Sequence, residues 1–209
     1  MVALNARAAL AAFSLTLLSC STPIRTQTLA RVGATPLVKL ALVTAGVAPN
    51  FRSDGSTEPE LAAQIVTGRV LQALYDLRTF QVVPPGEVAL VLSASPGLDP
   101  LGSNVRLNGT FGVQGVLRGT VSRFQQRVGG PRGASRPAAV AFMLELSGAD
   151  GLVIWRGNYE EIQQSLSDDP GSFSRVRARS FQWVTAETLA SYGARELVME
   201  MPGPSASWK

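Results

Sequence analysis

The sequence contains no histidine and a single cysteine, Cys20, among its 209 residues. Without histidine the chain cannot form a Ser-His-Asp triad, a His-ligated zinc site or a histidine general base. With one cysteine it cannot form an internal disulfide. We therefore expect no metal centre, no cofactor and no enzymatic activity, and a function that depends on location and binding.

Lysine and a strong net charge are also lacking. The only lysines are Lys39 and Lys209, so arginine carries almost all of the positive charge. The formal net charge of +4 falls to +3 if residues 1–19, which include Arg7, are removed. Recognition of nucleic acid needs a concentrated basic face, so this mild excess does not indicate nucleic acid as a partner.

The apolar run near the start of the chain, residues 8–18, is too short to span a bilayer, which requires roughly 20 apolar residues. It follows Arg7 and ends before Ser19 and Cys20, as in a signal peptide. Residues 17–20 resemble the lipobox of bacterial lipoproteins, although Leu18 stands where a small residue is usual.

This resemblance implies that the sulfur of Cys20 is diacylated, that cleavage occurs before Cys20 and that the new amine is acylated. Two or three acyl chains anchor a protein stably, whereas one binds only marginally. Ser21 stands where aspartate would favour the inner membrane, so we expect the outer membrane, with the domain in the periplasm. The alternatives are an ordinary cleaved signal with an incidental cysteine and an uncleaved N-terminal helix.

The chain divides into four parts. Residues 1–19 form the signal peptide, and residues 20–36, which are poor in large apolar side chains, form a lipidated flexible tether that reaches about 50 Å if extended. Residues 37–200 form a single periplasmic α/β domain, large enough for an ordinary hydrophobic core. Residues 201–209 form a disordered tail.

The domain opens with the pattern of a β-α-β unit. Residues 37–44 are almost continuously apolar, which is typical of a strand covered on both faces. After a loop at residues 45–56, Thr57 and Glu60 predict a capping box for a helix that continues to about residue 78. Residues 80–83 form a short second strand, expected to run parallel to the first.

The next two segments carry weaker patterns. Residues 87–94 fit a helix or a strand, and their position after two prolines and a glycine favours a short helix. Residues 95–112 are rich in glycine, proline and asparagine, which predicts an irregular connection with room for one helical turn.

An antiparallel meander follows. Residues 113–126 alternate between apolar and polar side chains, as in a strand with one buried face. A loop at residues 127–136 leads to the second strand, residues 137–147. The Asp-Gly pair within residues 148–151 predicts a hairpin turn into the third strand, residues 152–163.

The C-terminal part is expected to be helical. Residues 168–170 favour the start of a helix, and residues 183–199 form a C-terminal helix interrupted near Gly193. The predicted fold class is therefore α/β (α+β), with a β-α-β unit and an antiparallel three-stranded meander in one mixed sheet, and with helices packed on that sheet.

Two short sequence segments, together with this order of elements, resemble a group of bacterial envelope lipoproteins. Residues 112–121 read Gly-Val-Gln-Gly-Val-Leu-Arg-Gly-Thr-Val, and residues 155–157 read Trp-Arg-Gly. The group includes the curli-secretion lipoprotein, the penicillin-binding-protein activator lipoproteins and the amino-terminal domain of the TolB protein. The resemblance covers roughly residues 37–164 and implies an architecture rather than one function, because the group contains both pore formers and enzyme activators. The sequence has no long amphipathic segment for a transmembrane hairpin, so a secretion-channel role is not expected.

Five arginines form the first candidate site, since they fall on one predicted strand and the loop after it. They are Arg118, Arg123, Arg127, Arg132 and Arg136. Guanidinium groups bind phosphates and carboxylates well, so these residues are candidates to contact anionic lipid headgroups, lipopolysaccharide phosphates or an acidic partner. The alternative is a solvated strand edge and loop.

Three aromatic residues, Trp155, Tyr159 and Trp183, form the second candidate site, an aromatic contact surface. Residues of this kind are also common at a half-buried contact between a sheet and a helix, and this alternative stays open.

Acidic residues give little indication of chemistry. Glu160 and Glu161 are adjacent, but neighbours on a strand point to opposite faces, so they are not expected to share a substrate. Asp168 and Asp169 fit a helix cap better than a metal site. The sequence contains no nucleophile elbow, phosphate-binding loop or dinucleotide-binding fingerprint.

The leading hypothesis is a non-catalytic, lipid-anchored protein that binds a partner protein in envelope assembly or maintenance. The lipid would hold the domain at one membrane, and the tether would raise its effective concentration there. One alternative is an auxiliary lipoprotein of a transport or secretion complex. Another is a carboxylate-dependent hydrolase of cell-wall glycan, which requires two carboxyl groups about 5–9.5 Å apart in one cleft. The sequence does not indicate whether the protein self-associates.

Overall fold

The computed structural model describes residues 24–29, 36–78, 80–131, 133–163 and 183–203. Within these ranges the strands are β1 (Ile24–Thr28), β2 (Lys39–Leu42), β3 (Gly46–Arg52), β4 (Gln81–Val83), β5 (Gly115–Gln125), β6 (Val128–Gly130), β7 (Gly133–Arg136), β8 (Ala139–Gly148) and β9 (Val153–Ile162). The helices are α1 (Pro59–Leu77), α2 (Pro85–Ser93), α3 (Pro100–Phe111) and α4 (Ala186–Glu200).

Seven of these strands make one mixed sheet in the order β1-β9-β8-β5-β2-β4, and β3 pairs with β5 beside this path. The predicted α/β fold is confirmed, with its β-α-β unit, its antiparallel meander and its C-terminal helix. None of the helices in the described ranges is long and apolar enough to cross a membrane.

The β-α-β unit has the expected geometry, except at the start of its helix. β2 and β4 pair in parallel, with Leu40 opposite Val82, and α1 connects them. The predicted capping box is wrong, because Glu58 precedes α1 without a side-chain cap and Thr57 is buried. Pro59 favours this start, since its fixed φ suits the first helical turn and its missing N–H needs no cap.

The loop predicted between β2 and α1 contains β3, which pairs in parallel with β5. Gly46, Pro49 and Asn50 favour turns, so the sequence pattern did not indicate a strand. Their presence is tolerated because β3 pairs with β5 alone among the described strands and its register shifts between Val47 and Arg52. Proline within a sheet is confined to edges and irregularities of this kind.

The two segments after β4 are both helical. α2 confirms the helical interpretation of the first, whereas the irregular connection predicted for residues 95–112 is wrong, because it contains the 12-residue helix α3. Asp99 caps α3 by accepting a hydrogen bond of 2.7 Å from the Gly102 backbone N–H. Gly112 ends the helix with φ 66°. Burial of Leu107 against the sheet outweighs the poor helix propensity of the segment's glycines and asparagines.

β5, β8 and β9 form the predicted antiparallel meander. Leu117 lies opposite Leu146, which lies opposite Trp155. The other core-facing side chains of these strands are Val121, Phe124, Val140, Phe142, Leu144 and Tyr159. The hairpin turn at residues 148–151 is confirmed, with Gly151 at φ 81°.

The loop predicted at residues 127–136 contains a two-stranded antiparallel ribbon made of β6 and β7. Gly129 adopts φ 111°, and a Cβ there would lie 2.6 Å from the carbonyl oxygen of Gly133, so only glycine fits. The ribbon joins the end of β5 to the start of β8.

The C-terminal helix α4 is continuous, so the interruption predicted near Gly193 is wrong. A Cβ on Gly193 would lie 2.5 Å from Cγ of Tyr159, which shows that the glycine permits close packing of α4 on the sheet. The tail prediction is wrong at its start, because Met201 and Pro202 are buried and Met201 belongs to the core. The helix start predicted at residues 168–170 lies outside the described residues.

The start of α4 is fixed to the end of β5. Gln126 donates a hydrogen bond of 2.6 Å to Glu187, and its amide oxygen accepts one of 3.4 Å from the Ala186 backbone N–H. Burial alone would raise the pKa of Glu187. Hydrogen bonds from its own backbone N–H, Thr185 and Gln126 outweigh burial and lower that pKa.

The flexible tether predicted at residues 20–36 is wrong for Ile24–Thr28, because these residues form the edge strand β1. Ile24 lies opposite Tyr159 and Thr28 lies opposite Trp155, in an antiparallel pairing with β9. Four of the five side chains are exposed, so main-chain hydrogen bonds hold the strand and the sequence carries almost no hydrophobic signal for it. The signal peptide and Cys20 lie outside the described residues.

Candidate functional site

The two faces of the sheet are covered unequally. α1 and α4 pack on one face, over the larger core cluster that includes Phe142 and Tyr159. α2 and α3 pack on the other face, over β2 and the start of β5, where a smaller cluster contains Ala41, Leu107 and Val116. On this second face the outward side chains of β5, β8 and β9 form a surface that we call the open sheet face.

Three rows of side chains cross the open sheet face. The rows are Arg118, Glu145 and Arg156; Thr120, Met143 and Asn158; and Arg123, Ala141 and Glu160. In the first row, Nη2 of Arg156 lies 2.5 Å from Oε2 of Glu145. In the third row, Nη1 of Arg123 lies 3.4 Å from Oε1 of Glu160. The open sheet face is therefore polar, and most of its charges are paired with a neighbour of opposite sign.

Arg118, the first of the predicted arginines, reaches from this face to α3. Its Nη1 lies 3.3 Å from the hydroxyl of Ser147 and its Nη2 lies 3.4 Å from the carbonyl oxygen of Pro100, as donor in both cases. Burial lowers the pKa of Arg118, and the nearby charge of Glu145 opposes that shift. Arg118 therefore helps to hold α3 against the sheet.

The buried side chain of Asn104 also attaches α3 to the sheet, at the end of β8. Its Nδ2 donates to the Ser147 hydroxyl at 2.9 Å and to the Gly148 carbonyl at 2.8 Å. The residue is 1% exposed, and its Oδ1 has no hydrogen-bond partner in the part of the chain that the structure describes. An unsatisfied buried acceptor costs about 1–3 kcal/mol, so the two donated bonds are obtained at an energetic cost.

Two of the other predicted arginines, Arg127 and Arg136, lie at the ribbon, away from Arg118. Arg127 donates to the Trp183 carbonyl oxygen, and Nη1 of Arg136 lies 3.3 Å from Oδ2 of Asp54, so both belong to the ribbon and its surroundings. Arg132 lies outside the described residues. The structure thus does not place the arginines on one common surface, and anion binding by the ribbon arginines stays a prediction.

Asp54 connects the segment before α1 to the ribbon. The Ser56 hydroxyl donates to Oδ1 of Asp54 at 2.5 Å, and the Ser56 backbone N–H donates to the same oxygen at 3.1 Å. The hydroxyl hydrogen bond is the main cause that lowers the pKa of Asp54, and Arg136 lowers this pKa further. The ionised carboxylate is therefore the form that the fold favours.

The predicted aromatic contact surface is wrong for Trp155 and Tyr159, which are each 1% exposed. A Cβ on Gly157 would lie 2.6 Å from Cζ2 of Trp155, so the indole covers this glycine. The ring centroids of Tyr159 and Phe142 are 5.4 Å apart. Both aromatic residues face α4, where their large apolar area stabilises the fold. Trp183 is half-buried beside the ribbon.

The paired glutamates point to opposite faces, as predicted. Glu160 contacts Arg123 on the open sheet face, whereas Glu161 accepts a hydrogen bond of 2.6 Å from the Tyr159 hydroxyl. The acidic pair at residues 168–169 lies outside the described residues. Over the described ranges, no three His, Cys, Asp or Glu residues lie close enough to hold a metal ion.

An exposed apolar surface at α3 and the hairpin turn beside it was not predicted from the sequence. Its members, which we call the apolar patch, are Leu98, Leu101, Val105 and Leu152, exposed by 42%, 48%, 58% and 63%. Leu101 touches the hairpin turn, since a Cβ on Gly151 would lie 2.7 Å from its Cδ1. Leu101 and Val105 are four residues apart on one side of α3. The signal in the sequence was the Asp99-Pro100 pair, a capping residue followed by proline, which marks a helix start.

The sheet has two ends along the direction of its strands. At one end, Gly115 pairs with Gly148 beside the hairpin turn and the apolar patch; we call this the patch end. At the other, Ala139 lies between Gln125 and Ile162, and the ribbon projects beyond them; we call this the ribbon end. Ten residues of β8 separate the two ends by about 30 Å.

Comparison with known proteins identifies similar structures but no similar sequences. No protein-family model matches the chain, and no curated protein matches it. Among solved structures, the chain is similar to PelC from Paraburkholderia phytofirmans, solved as a dodecamer, with a TM-score of 0.46 and 12% identity over 86% of this chain and 98% of that one.

Two further similar structures come from other bacteria. Lipoprotein GNA1162 from Neisseria meningitidis gives a TM-score of 0.45 and 14% identity over 69% of this chain and 95% of that one. The LpoB C-terminal domain from Salmonella enterica gives a TM-score of 0.41 and 20% identity over 63% of this chain and 87% of that one. These structures include a bacterial lipoprotein, which fits the resemblance that the sequence indicated. At these identities the likeness concerns the fold alone.

Proposed function

We propose that this chain is a non-catalytic lipoprotein of the outer membrane, anchored through Cys20, whose periplasmic domain binds an envelope protein through the apolar patch. The observation that carries the proposal is the exposure of four neighbouring large apolar side chains at the patch end. Contiguous exposed apolar surface of this kind marks interaction sites in soluble domains.

The chemistry of the patch suits a protein partner. Each of its four side chains is about half exposed, so a partner that covers them gains about 1 kcal/mol from each. Asp99 and Asp150 flank the apolar residues and provide a polar border of the kind found around protein interfaces. The two glutamates of β9 point to opposite faces of the sheet, so they do not form a carboxylate pair in one cleft.

The anchor is tested by changing Cys20→Ala in the full-length chain and feeding cells with labelled fatty acid. We expect the label and the membrane retention to disappear together, because the thioether-forming sulfur is gone. A variant that stays in the membrane fraction would contradict the lipoprotein assignment.

Partner binding is tested by in-cell crosslinking and mass spectrometry with the variant Val105→Ser/Leu152→Ser. These two side chains are the most exposed of the patch, so the fold should tolerate the change. We expect recurrent protein crosslinks from the unaltered chain and at least a fivefold loss in the variant. Met199→Ser is the matched control, since Met199 is 62% exposed on α4, away from the patch. Equal crosslinking by all three chains would contradict the proposal.

A further inference from the structure

The strand β1 shortens the link between the lipid and the domain. Cys20 and Ile24 are four residues apart, and an extended chain covers at most about 3.6 Å per residue. The Cα of Ile24 at the start of β1 is therefore no more than about 14 Å from the Cα of Cys20, the proposed site of the lipid. A tether of about 50 Å would leave the domain free to rotate, whereas a link of this length limits which side of the domain can face the bilayer.

The direction of β1 decides which end lies close to the anchor. Ile24 lies opposite Tyr159, and β1 runs antiparallel to β9, so the N-terminal end of β1 points toward Ile162. Ile162 is paired with Ala139 at the start of β8. Since Tyr159 is three residues from Ile162 and six from Val153, β1 begins about 10 Å from the ribbon end and about 20 Å from the patch end.

The ribbon end has the chemistry of a membrane-contacting surface. Between residues 126 and 137 the sequence contains three arginines and no acidic residue. The nearby carboxylates of Asp54, Glu160 and Glu161 are each bonded within the fold, to Arg136, Arg123 and Tyr159 respectively. The side chain of Arg136 remains 49% exposed although it pairs with Asp54, and Val128 is 45% exposed at the start of the ribbon. Ile162, 46% exposed, adds a second apolar side chain at this end. Arginine beside small and apolar residues suits the headgroup region of an anionic bilayer.

We propose that the ribbon end rests on the anionic phospholipid surface to which the Cys20 lipid anchors the chain, with the ribbon in the headgroup region. This proposal depends on the lipid attachment proposed above and adds an orientation to it. The apolar patch then faces away from the bilayer, about 30 Å into the periplasm, where a partner can reach it. The ribbon surface therefore binds the lipid bilayer and not a protein.

The orientation is tested with single cysteines in the full-length, lipidated protein. Acylation consumes Cys20, so Gly130→Cys in the ribbon and Ala149→Cys in the hairpin turn each provide one free thiol for a fluorophore. A Cβ at Gly130 meets no atom within 4 Å, and Ala149 lies in the turn at the patch end, so both changes should be tolerated. The labelled proteins are placed in vesicles of phosphatidylethanolamine and phosphatidylglycerol that contain a headgroup-attached quencher.

We expect the label at position 130 to be quenched at least threefold more strongly than the label at position 149. The ratio should decrease in vesicles of phosphatidylcholine alone, because the anionic headgroups are then absent. Equal quenching, or stronger quenching at position 149, in a protein that carries the lipid would overturn the orientation and leave the anchor intact. An unchanged ratio in phosphatidylcholine would overturn the headgroup contact. Absence of lipid on Cys20 would overturn both the anchor and the orientation.

Discussion

The ring of Tyr159 packs directly on the backbone of α4 at Gly193. A methyl group at this glycine would lie 2.5 Å from Cγ of the ring, well inside van der Waals contact. The tyrosine is 1% exposed and its hydroxyl is bonded to Glu161, so it cannot swing away from the helix. The close approach of α4 to β9 therefore depends on the absence of a side chain at Gly193.

Replacing Gly193→Ala should destabilise the protein although alanine is the better helix former. Alanine gains up to about 1 kcal/mol from helix propensity, while an overpacked core site costs about 1–3 kcal/mol. Gly68→Ala in α1 is the matched control, because Gly68 is exposed and a Cβ there meets nothing within 4 Å. Denaturant unfolding should show a loss of stability for the first variant and a gain for the second. A gain for both would show that Tyr159 can move.

The charged row on the open sheet face should contribute to stability through Glu145. Glu145 stands between Arg118 and Arg156, so Glu145→Gln leaves two guanidinium groups on either side of a neutral residue. We expect a loss of about 1 kcal/mol at low salt, which decreases in 1 M salt because of screening. Glu160→Gln, at a carboxylate that is 66% exposed, should change stability by less than about 0.5 kcal/mol. If the two variants lost the same stability, the ion pairs of Glu145 would be no stronger than the exposed pair of Glu160.

The contribution of Asp54 should depend on pH in acid. Its folded-state pKa is lowered from 3.8, so its ionised form stabilises the fold above pH 3.8. This stabilisation is lost as the pH falls through the folded-state pKa. We expect Asp54→Asn to lose up to about 1 kcal/mol at pH 7, and the difference from the unaltered chain to vanish in strong acid. A difference that is constant from pH 7 to pH 2 would contradict a role for the ionised carboxylate.

The pairing of β1 with β9 can be tested with proline. The Leu29 backbone N–H donates to the Ile154 carbonyl oxygen at 2.8 Å, and alternate residues of an antiparallel pair share this orientation. The N–H of Gln27 therefore faces β9, whereas that of Thr26 faces outward. Gln27→Pro should cost at least about 1 kcal/mol and accelerate hydrogen exchange of the Arg156 backbone amide. Thr26→Pro should cost much less, and the reverse order would contradict the register.

The sequence predicts the elements that carry a buried face. The alternation in β5, β8 and β9 and the apolar run of β2 arise because their side chains enter a core, and the structure confirms them. It does not predict β1, whose side chains are mostly exposed, or β3, whose residues favour turns. Main-chain pairing at a sheet edge does not require particular residue types, because every residue except proline provides the same donor and acceptor. Such a strand is therefore hard to predict from the sequence.

The candidate site was less predictable than the fold. Trp155 and Tyr159 are residue types that occur both at interfaces and in cores, and the type alone does not distinguish the two. The sequence does not predict the apolar patch, because the glycines and asparagines of α3 favour an irregular segment. The capping signal at Asp99, which is local and specific, would have been the better guide.

The strand β1 also has a mechanical consequence. With an anchor at the ribbon end and a partner at the patch end, a pull between the two membranes or between membrane and partner acts along the strands. Such a load strains all five residue pairs between β1 and β9 in parallel instead of opening them one after another. The exposed edge strand would then act as a shear clamp that passes tension from the lipid into the sheet and spares the helices packed on it.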